Sequence, residues 1–265
     1  MMKKGISLIL LVALIGLVQA HEFWMLPNKF RFEVGEKIIL DFRVGEGFEG
    51  DHWDLNKHKV EELIIHNRVG ETVLTDKVDK SRGNNLEYVF NNVGTHLVAM
   101  QSDASFIEQS SEEFDAYLSE DGLDYIKEER EKLGEQNKTA TELYTRYSKL
   151  LVQVGDRLDD TYKKPAGLKF EIIPLQNPYA LKSGDYLDCK VLYRGNPVNG
   201  GLVKVWSHVG NRIFLQNIYT ESDGMIRFPI SSTGPWMVSS VKMVRSNSPK
   251  AEWESMWSSL VFEIK

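Results

Sequence analysis

Histidine at position 21 is the residue whose chemistry organises the rest of this sequence. Lys3 and Lys4 precede an apolar run over 6–18, and Val18-Gln19-Ala20 has the small-residue form of a signal-peptidase site, so residues 1–20 read as a secretory signal peptide. Cleavage after Ala20 leaves His21 as the first residue of a mature chain. A terminal histidine presents an α-amino nitrogen and an imidazole nitrogen, which can close on one metal ion as a compact chelate. Candidate partners stand in the region after the second expected strand: Glu46, Asp51, His52 and His58. The ligand set read from the sequence is His21, His52 and Glu46, and imidazole with carboxylate suits nickel or cobalt, with copper or zinc also served.

Other residue types favour structural roles. His96 lies in an apolar strand, while His66 and His208 have no partner at ligand spacing. Met25, Met100, Met243 and Met256 lack the clustering of a methionine-rich copper site and read as packing. Trp253 and Trp257 read as core, and Glu254 between them needs a salt-bridge partner, for which Arg43 and Arg194 are the candidates. No His-Glu-x-x-His helix, glycine-rich phosphate loop, redox cysteine pair or Ser-His-Asp order is present, and the expectation is a protein that is not an enzyme.

Composition sets the surroundings. The apolar run of the signal is short for a span of about 20 residues, and no later segment spans. A periplasmic or secreted location follows, with no membrane span after signal cleavage. The single cysteine, Cys189, excludes an internal disulfide, so stability must come from packed cores. Removing Lys3 and Lys4 moves the net charge from -6 to -8, and this acidity without a Lys/Arg cluster argues against nucleic acid and mildly favours cations.

The elements that must hold the site read as mainly β. Strands are expected at 30–34, 38–44, 60–66, 87–90 and 96–100, separated by Gly and Asn turns. Ser110 with Glu113 forms a capping-box pattern, which opens an amphipathic segment broken near Gly122. A second helix is expected over 141–154, because Leu143, Tyr147, Leu150, Leu151 and Val154 fall on one helical side. Seven further strands follow at 168–173, 186–193, 202–209, 213–219, 225–228, 236–244 and 260–264. The resulting organisation is a signal peptide at 1–20, an N-terminal β-sandwich unit at 21–108, a helical hairpin insertion at 109–158 and a C-terminal immunoglobulin-like β-sandwich at 165–265.

Several stretches together resemble one bacterial family. His21-Glu22-Phe23-Trp24 with Pro27, Arg43-Val44-Gly45-Glu46, Phe106-Ile107-Glu108, Tyr147-Ser148-Lys149, Asn177-Pro178-Tyr179-Ala180-Leu181, Leu192-Tyr193-Arg194-Gly195, Gly234-Pro235-Trp236 and Trp253-Glu254-Ser255 stand in the order of that family's segments. It is the uncharacterised domain family described as the periplasmic component of cobalt and nickel transport systems. The resemblance implies a non-enzymatic exported protein that binds a metal ion or metal complex and serves a membrane transporter component. Two alternatives stand beside it. One is a copper oxidative enzyme, since lytic polysaccharide monooxygenases also begin at a processed histidine; the other is a structural or partner-binding protein whose sandwiches only present surfaces.

Overall fold

The computed structural model describes residues 21–210 and 212–265; the expected signal segment at 1–20 lies outside the described residues. The chain first forms β1 (Glu22–Pro27), β2 (Arg31–Phe32), β3 (Lys37–Glu46), β4 (Glu49–His52), β5 (Val60–Asn67) and β6 (Gly70–Val73). After these come β7 (Leu86–Val89), β8 (Gly94–Ser102), β9 (Ser105–Gln109), α1 (Ser111–Glu120) and α2 (Asp124–Lys132). The remainder is β10 (Ala140–Val154), β11 (Phe170–Pro174), β12 (Tyr186–Tyr193), β13 (Asn196–Pro197), β14 (Leu202–Val209), β15 (Arg212–Tyr219), β16 (Met225–Pro229), β17 (Gly234–Arg245) and β18 (Trp253–Ile264). The fold is mainly β with a helical pair inserted, as the residue patterns imply.

One expectation is overturned. The segment 141–154 is not a helix but most of β10, a strand of 15 residues whose positions from Thr145 to Val154 are all buried. A strand covered on both faces loses the polar/apolar alternation that marks a half-exposed one, and its leucines then fall by chance at helical spacing. Both helices of the insertion lie earlier. Ser110 caps α1 as expected: its hydroxyl accepts from the Glu113 amide at 3.2 Å, and its own amide donates to the Glu113 carboxylate at 2.9 Å.

β10 joins the two halves of the sequence. It pairs antiparallel with β8 and β9, and it runs parallel to β18 from Glu142 opposite Trp253 to Leu150 opposite Val261. The result is a ten-stranded sheet, β15-β14-β17-β18-β10-β8-β5-β6 with β2 and β9 also on β10. Regions 21–108 and 165–265 thus contribute strands to one sheet, with β10 between them. Two smaller sheets complete the layers: β1-β3-β4 with β7, and β11-β12-β13 with β16.

Strand parity sorts what each layer meets. On one face of β10, Glu142 receives the Tyr117 hydroxyl of α1 and Arg146 reaches the backbone just before β1. On the other, Lys149 is fully buried and donates to Glu171 of β11 at 3.1 Å. The helices lay Phe114 and Tyr117 on Trp253 and Trp257, the latter pair stacked at 5.7 Å, and both tryptophans are buried as expected. Glu254 points the opposite way and is paired by Lys169 of the second layer, not by Arg43 or Arg194.

Because the sheet is shared, unfolding is expected as one cooperative calorimetric transition. Trp257→Ala should destabilise the whole molecule by about 3–5 kcal/mol, the usual cost of truncating a large buried aromatic. Two separated transitions, only one of them shifted by the substitution, would contradict the continuous sheet.

Candidate functional site

β3 and β4 form the hairpin that carries the acidic residues. Its two connecting residues, Gly47 and Phe48, have φ of 53° and 69°, the left-handed pair of a type I′ turn. Left-handed backbone is unfavourable for a bulky side chain, and Phe48 is held there by ring contacts with Trp24 and His208, each at 6.0 Å. Gly45 and Gly50 lie directly opposite one another, and a Cβ on either would run into a backbone carbonyl of the facing strand, Glu49 or Val44. Glycine at both positions is what lets the hairpin close so tightly.

Register decides which side chains meet. Glu46 faces Glu49 and Val44 faces Asp51, so all four project to one side; Arg43 faces His52 on the other side. β1 enters with Glu22 opposite Gly45, which brings residue 21 level with Glu46. His21, Glu46, Glu49 and Asp51 consequently line one cleft of about 620 Å³, whose far wall is apolar: Trp206 of β14 with Ile213 and Leu215 of β15.

The structure therefore brings His21 and Glu46 together and takes His52 away. His52 lies one residue out of phase, with Nδ1 at 2.8 Å from Asp41, a carboxylate that also binds Arg43 and accepts from the Gly83 amide at 3.1 Å. His58, His66 and His96 sit elsewhere. His58 stacks on Trp53 at 5.1 Å and meets the Ser105 hydroxyl at 2.9 Å, and burial lowers its pKa. His66 lies 3.3 Å from Glu71, while His96 is buried against Phe90. Among the described residues no group of three or more His, Cys, Asp or Glu side chains is already arranged around a metal position.

Beneath the cleft lies a buried charged floor that sequence reading missed. Arg146 of β10 donates to the His21 carbonyl at 2.8 Å, its guanidinium between the rings of Phe23 and Tyr144. Lys204 of β14 lies 2.8 Å from Asp121, at the end of α1, and 3.7 Å from Glu22. Glu22 also accepts from Ser239 of β17 at 3.4 Å. Glu142 accepts from Ser255 and from Tyr117, and Trp257 donates to Ser255 at 3.1 Å. The available signal was a charge inside an apolar run, Lys204 within Leu202-Val203-Lys204-Val205-Trp206, since a buried cation demands paired carboxylates.

Burial dominates the electrostatics of this floor. It pushes Asp121 up to about 7 against the attraction of Lys204, and Glu142 up to about 7 against its two hydroxyl donors. Glu22 is raised for the same reason, again opposed by Lys204. Burial pulls Lys204 down, but Asp121 and Glu22 outweigh it and the net shift is upward. Lys204 thus sits between two carboxylates, Glu22 and Asp121, while Glu142 is held by hydroxyl donors.

Comparison with known families matches residues 18–243 to the family described as "Domain of unknown function (DUF4198)", and the chain belongs to that family. No curated protein matches it. Among solved structures, a mutant of Salmonella alpha-2-macroglobulin is similar at 12% identity and a TM-score of 0.23, over 91% of this chain and 15% of that one. The tetra-tandem repeat from the extending region of a large adhesion protein is similar at 11% identity and a TM-score of 0.24, over 93% of this chain and 50% of that one. The three N-terminal domains of the bacteriophage RB49 outer capsid protein Hoc give 7% identity and a TM-score of 0.22, over 92% and 70%. The chain spans half or less of the first two structures' own lengths.

A raised carboxylate fixes a pH dependence. The folded state keeps the Glu142 proton up to about 7 whereas an ordinary glutamate releases it near 4.5, so between these values the unfolded state binds fewer protons and stability falls as pH rises. Glu142→Gln has no such proton to lose. In urea unfolding, the stability of the variant relative to the native protein should increase by about 1–3 kcal/mol between pH 4.5 and 7.5, taking about 1.4 kcal/mol per pKa unit. Parallel profiles would show that Glu142 titrates normally.

Proposed function

We propose that this member of the DUF4198 family is an exported binding protein that captures a divalent first-row transition-metal ion, nickel or cobalt, and hands it to a membrane transporter component. The observation that carries the reading is the cleft itself, where His21 shares a wall with Glu46 and two further carboxylates of the same hairpin. After removal of the leader, His21 supplies an amine and an imidazole, and Glu46 supplies the first carboxylate. Glu49 or Asp51 completes the set from the same face, in the place the sequence reading gave to His52. Nitrogen with carboxylate donors is a ligand type these ions accept, and three or four such donors leave positions for water, which favours release as well as capture. Cargo, not a resident cofactor, is what such a site suits.

The buried floor contributes position. Arg146 fixes the carbonyl of His21, which limits where the amine and imidazole on that residue point. Coordination requires the amine and imidazole in their neutral forms, so capture releases protons and strengthens as pH rises. The copper-enzyme alternative calls for a second imidazole beside His21, and His52, the nearest in sequence, is bound to Asp41 instead.

The test is calorimetry with nickel and cobalt on protein that begins at His21. One extra residue before His21 converts the amine to an amide and should weaken binding at least tenfold while leaving the melting temperature unchanged. Glu46→Gln should weaken it severalfold, and His52→Ala should leave it within twofold. Equal affinity for the native and extended proteins would contradict the terminal chelate, and no binding to either would contradict metal capture.

A further inference from the structure

The free edge of the large sheet stands beside the cleft. Among the described residues β15 pairs with β14 along its whole length, Arg212 opposite Val209 to Tyr219 opposite Leu202, and with nothing on its other side. Edge strands are ordinarily blunted by shortness, charge or proline, because their unpaired N–H and C=O groups template another strand. The opposite edge of the same sheet follows that rule: β6 has four residues and carries Glu71. So does β4, which has four residues with Glu49 and Asp51. β15 does not. It has eight residues, one charge at its start and no proline, and Phe214, Leu215 and Tyr219 are 47%, 43% and 58% exposed.

We infer that β15 is a docking edge for an extended segment of a partner protein, which adds as an eleventh strand and carries basic side chains on the face turned to the cleft. Charge selects the occupant. Ile213 and Leu215 project on the cleft side of β15, toward the hairpin tip where Gly47 abuts Ile213, and that tip presents Glu46, Glu49 and Asp51. Every second side chain of an added strand points the same way, so Lys or Arg at those positions meets carboxylates. The alternate side chains point to the other face with Phe214, where apolar residues cover it. Main-chain hydrogen bonds supply affinity and the alternating pockets supply selectivity, the usual division in strand addition. This docking does not depend on metal capture, although a partner seated there lies against the mouth of the metal cleft.

The test uses metal-free full-length mature protein and three fluorescent ten-residue peptides: alternating Lys and Val, alternating Glu and Val, and the Lys/Val peptide with its backbone N-methylated at every second residue. Fluorescence anisotropy should show the Lys/Val peptide binding at least tenfold tighter than either control. Phe214→Asp should weaken that binding at least tenfold with an unchanged nickel isotherm, and Glu49→Lys with Asp51→Lys should reverse the preference toward the Glu/Val peptide. Circular dichroism and melting confirm that each variant is folded. No binding, equal binding of the N-methylated peptide, or insensitivity to the charge reversal would overturn the docking edge. Sedimentation that finds a dimer abolished by Phe214→Asp would overturn it in favour of a second copy of this chain.

Discussion

The parallel pairing of β10 with β18 is the interaction on which the rest of the molecule depends. It extends from Glu142 opposite Trp253 to Leu150 opposite Val261 and connects strands more than 100 residues apart in sequence. Parallel neighbours must be covered on both faces, and here the helical pair and the β1 sheet cover one face while the β11 sheet covers the other. β10 accordingly carries charge to both sides: Arg146 and Glu142 to the first, Lys149 to the second. Lys149 meets a charged partner, Glu171 of β11, whereas Arg146 is held by the His21 carbonyl and Glu142 by the Tyr117 and Ser255 hydroxyls. Removing Glu171 would leave Lys149 an uncompensated charge in the interior, at a cost of about 3–5 kcal/mol, so this contact fixes the β11 layer against β10.

That arrangement explains how His21 is placed. Its carbonyl is held by Arg146, whose strand is bonded to β18; the next residue, Glu22, is held by Lys204 and Ser239 from β14 and β17. Lys204 also holds Asp121 at the end of α1, so the helical insertion and the amino-terminal strand share one cation. Residues 21 and 22 are thereby fixed by groups from β10, β14 and β17, with the helical insertion tied to the same lysine. The hairpin then adds its carboxylates from above, through a register set by a two-residue left-handed turn and two facing glycines.

Much of this was legible in the sequence wherever a local rule applied. The strands 186–193 and 202–209 coincide with β12 and β14, and the Ser110 and Glu113 box marks the start of α1. What escaped was non-local. β10 lacks alternation because both faces are buried, and β18 begins at Trp253, well before the expected start at 260, since Trp253-Glu254-Ser255-Met256-Trp257 alternates between two covered faces and not between core and water. The candidate site was half legible. His21 and Glu46 share a face through the β1–β3 register, but His52 and Asp51 differ by one residue and so point to opposite sides, a distinction that exists only once the hairpin register is known.

In the proposed cation site, His21 and the hairpin carboxylates hold one ion beside Arg146. The most direct measurement is anomalous diffraction at the nickel edge from crystals of processed protein grown with nickel. One strong peak is expected, bonded to the amine and imidazole of His21 and to the carboxylate of Glu46, with the Arg146 contact to the His21 carbonyl intact. A peak at His52 and Asp41 with His21 unligated, or no ordered peak at nickel concentrations that saturate binding in solution, would contradict it.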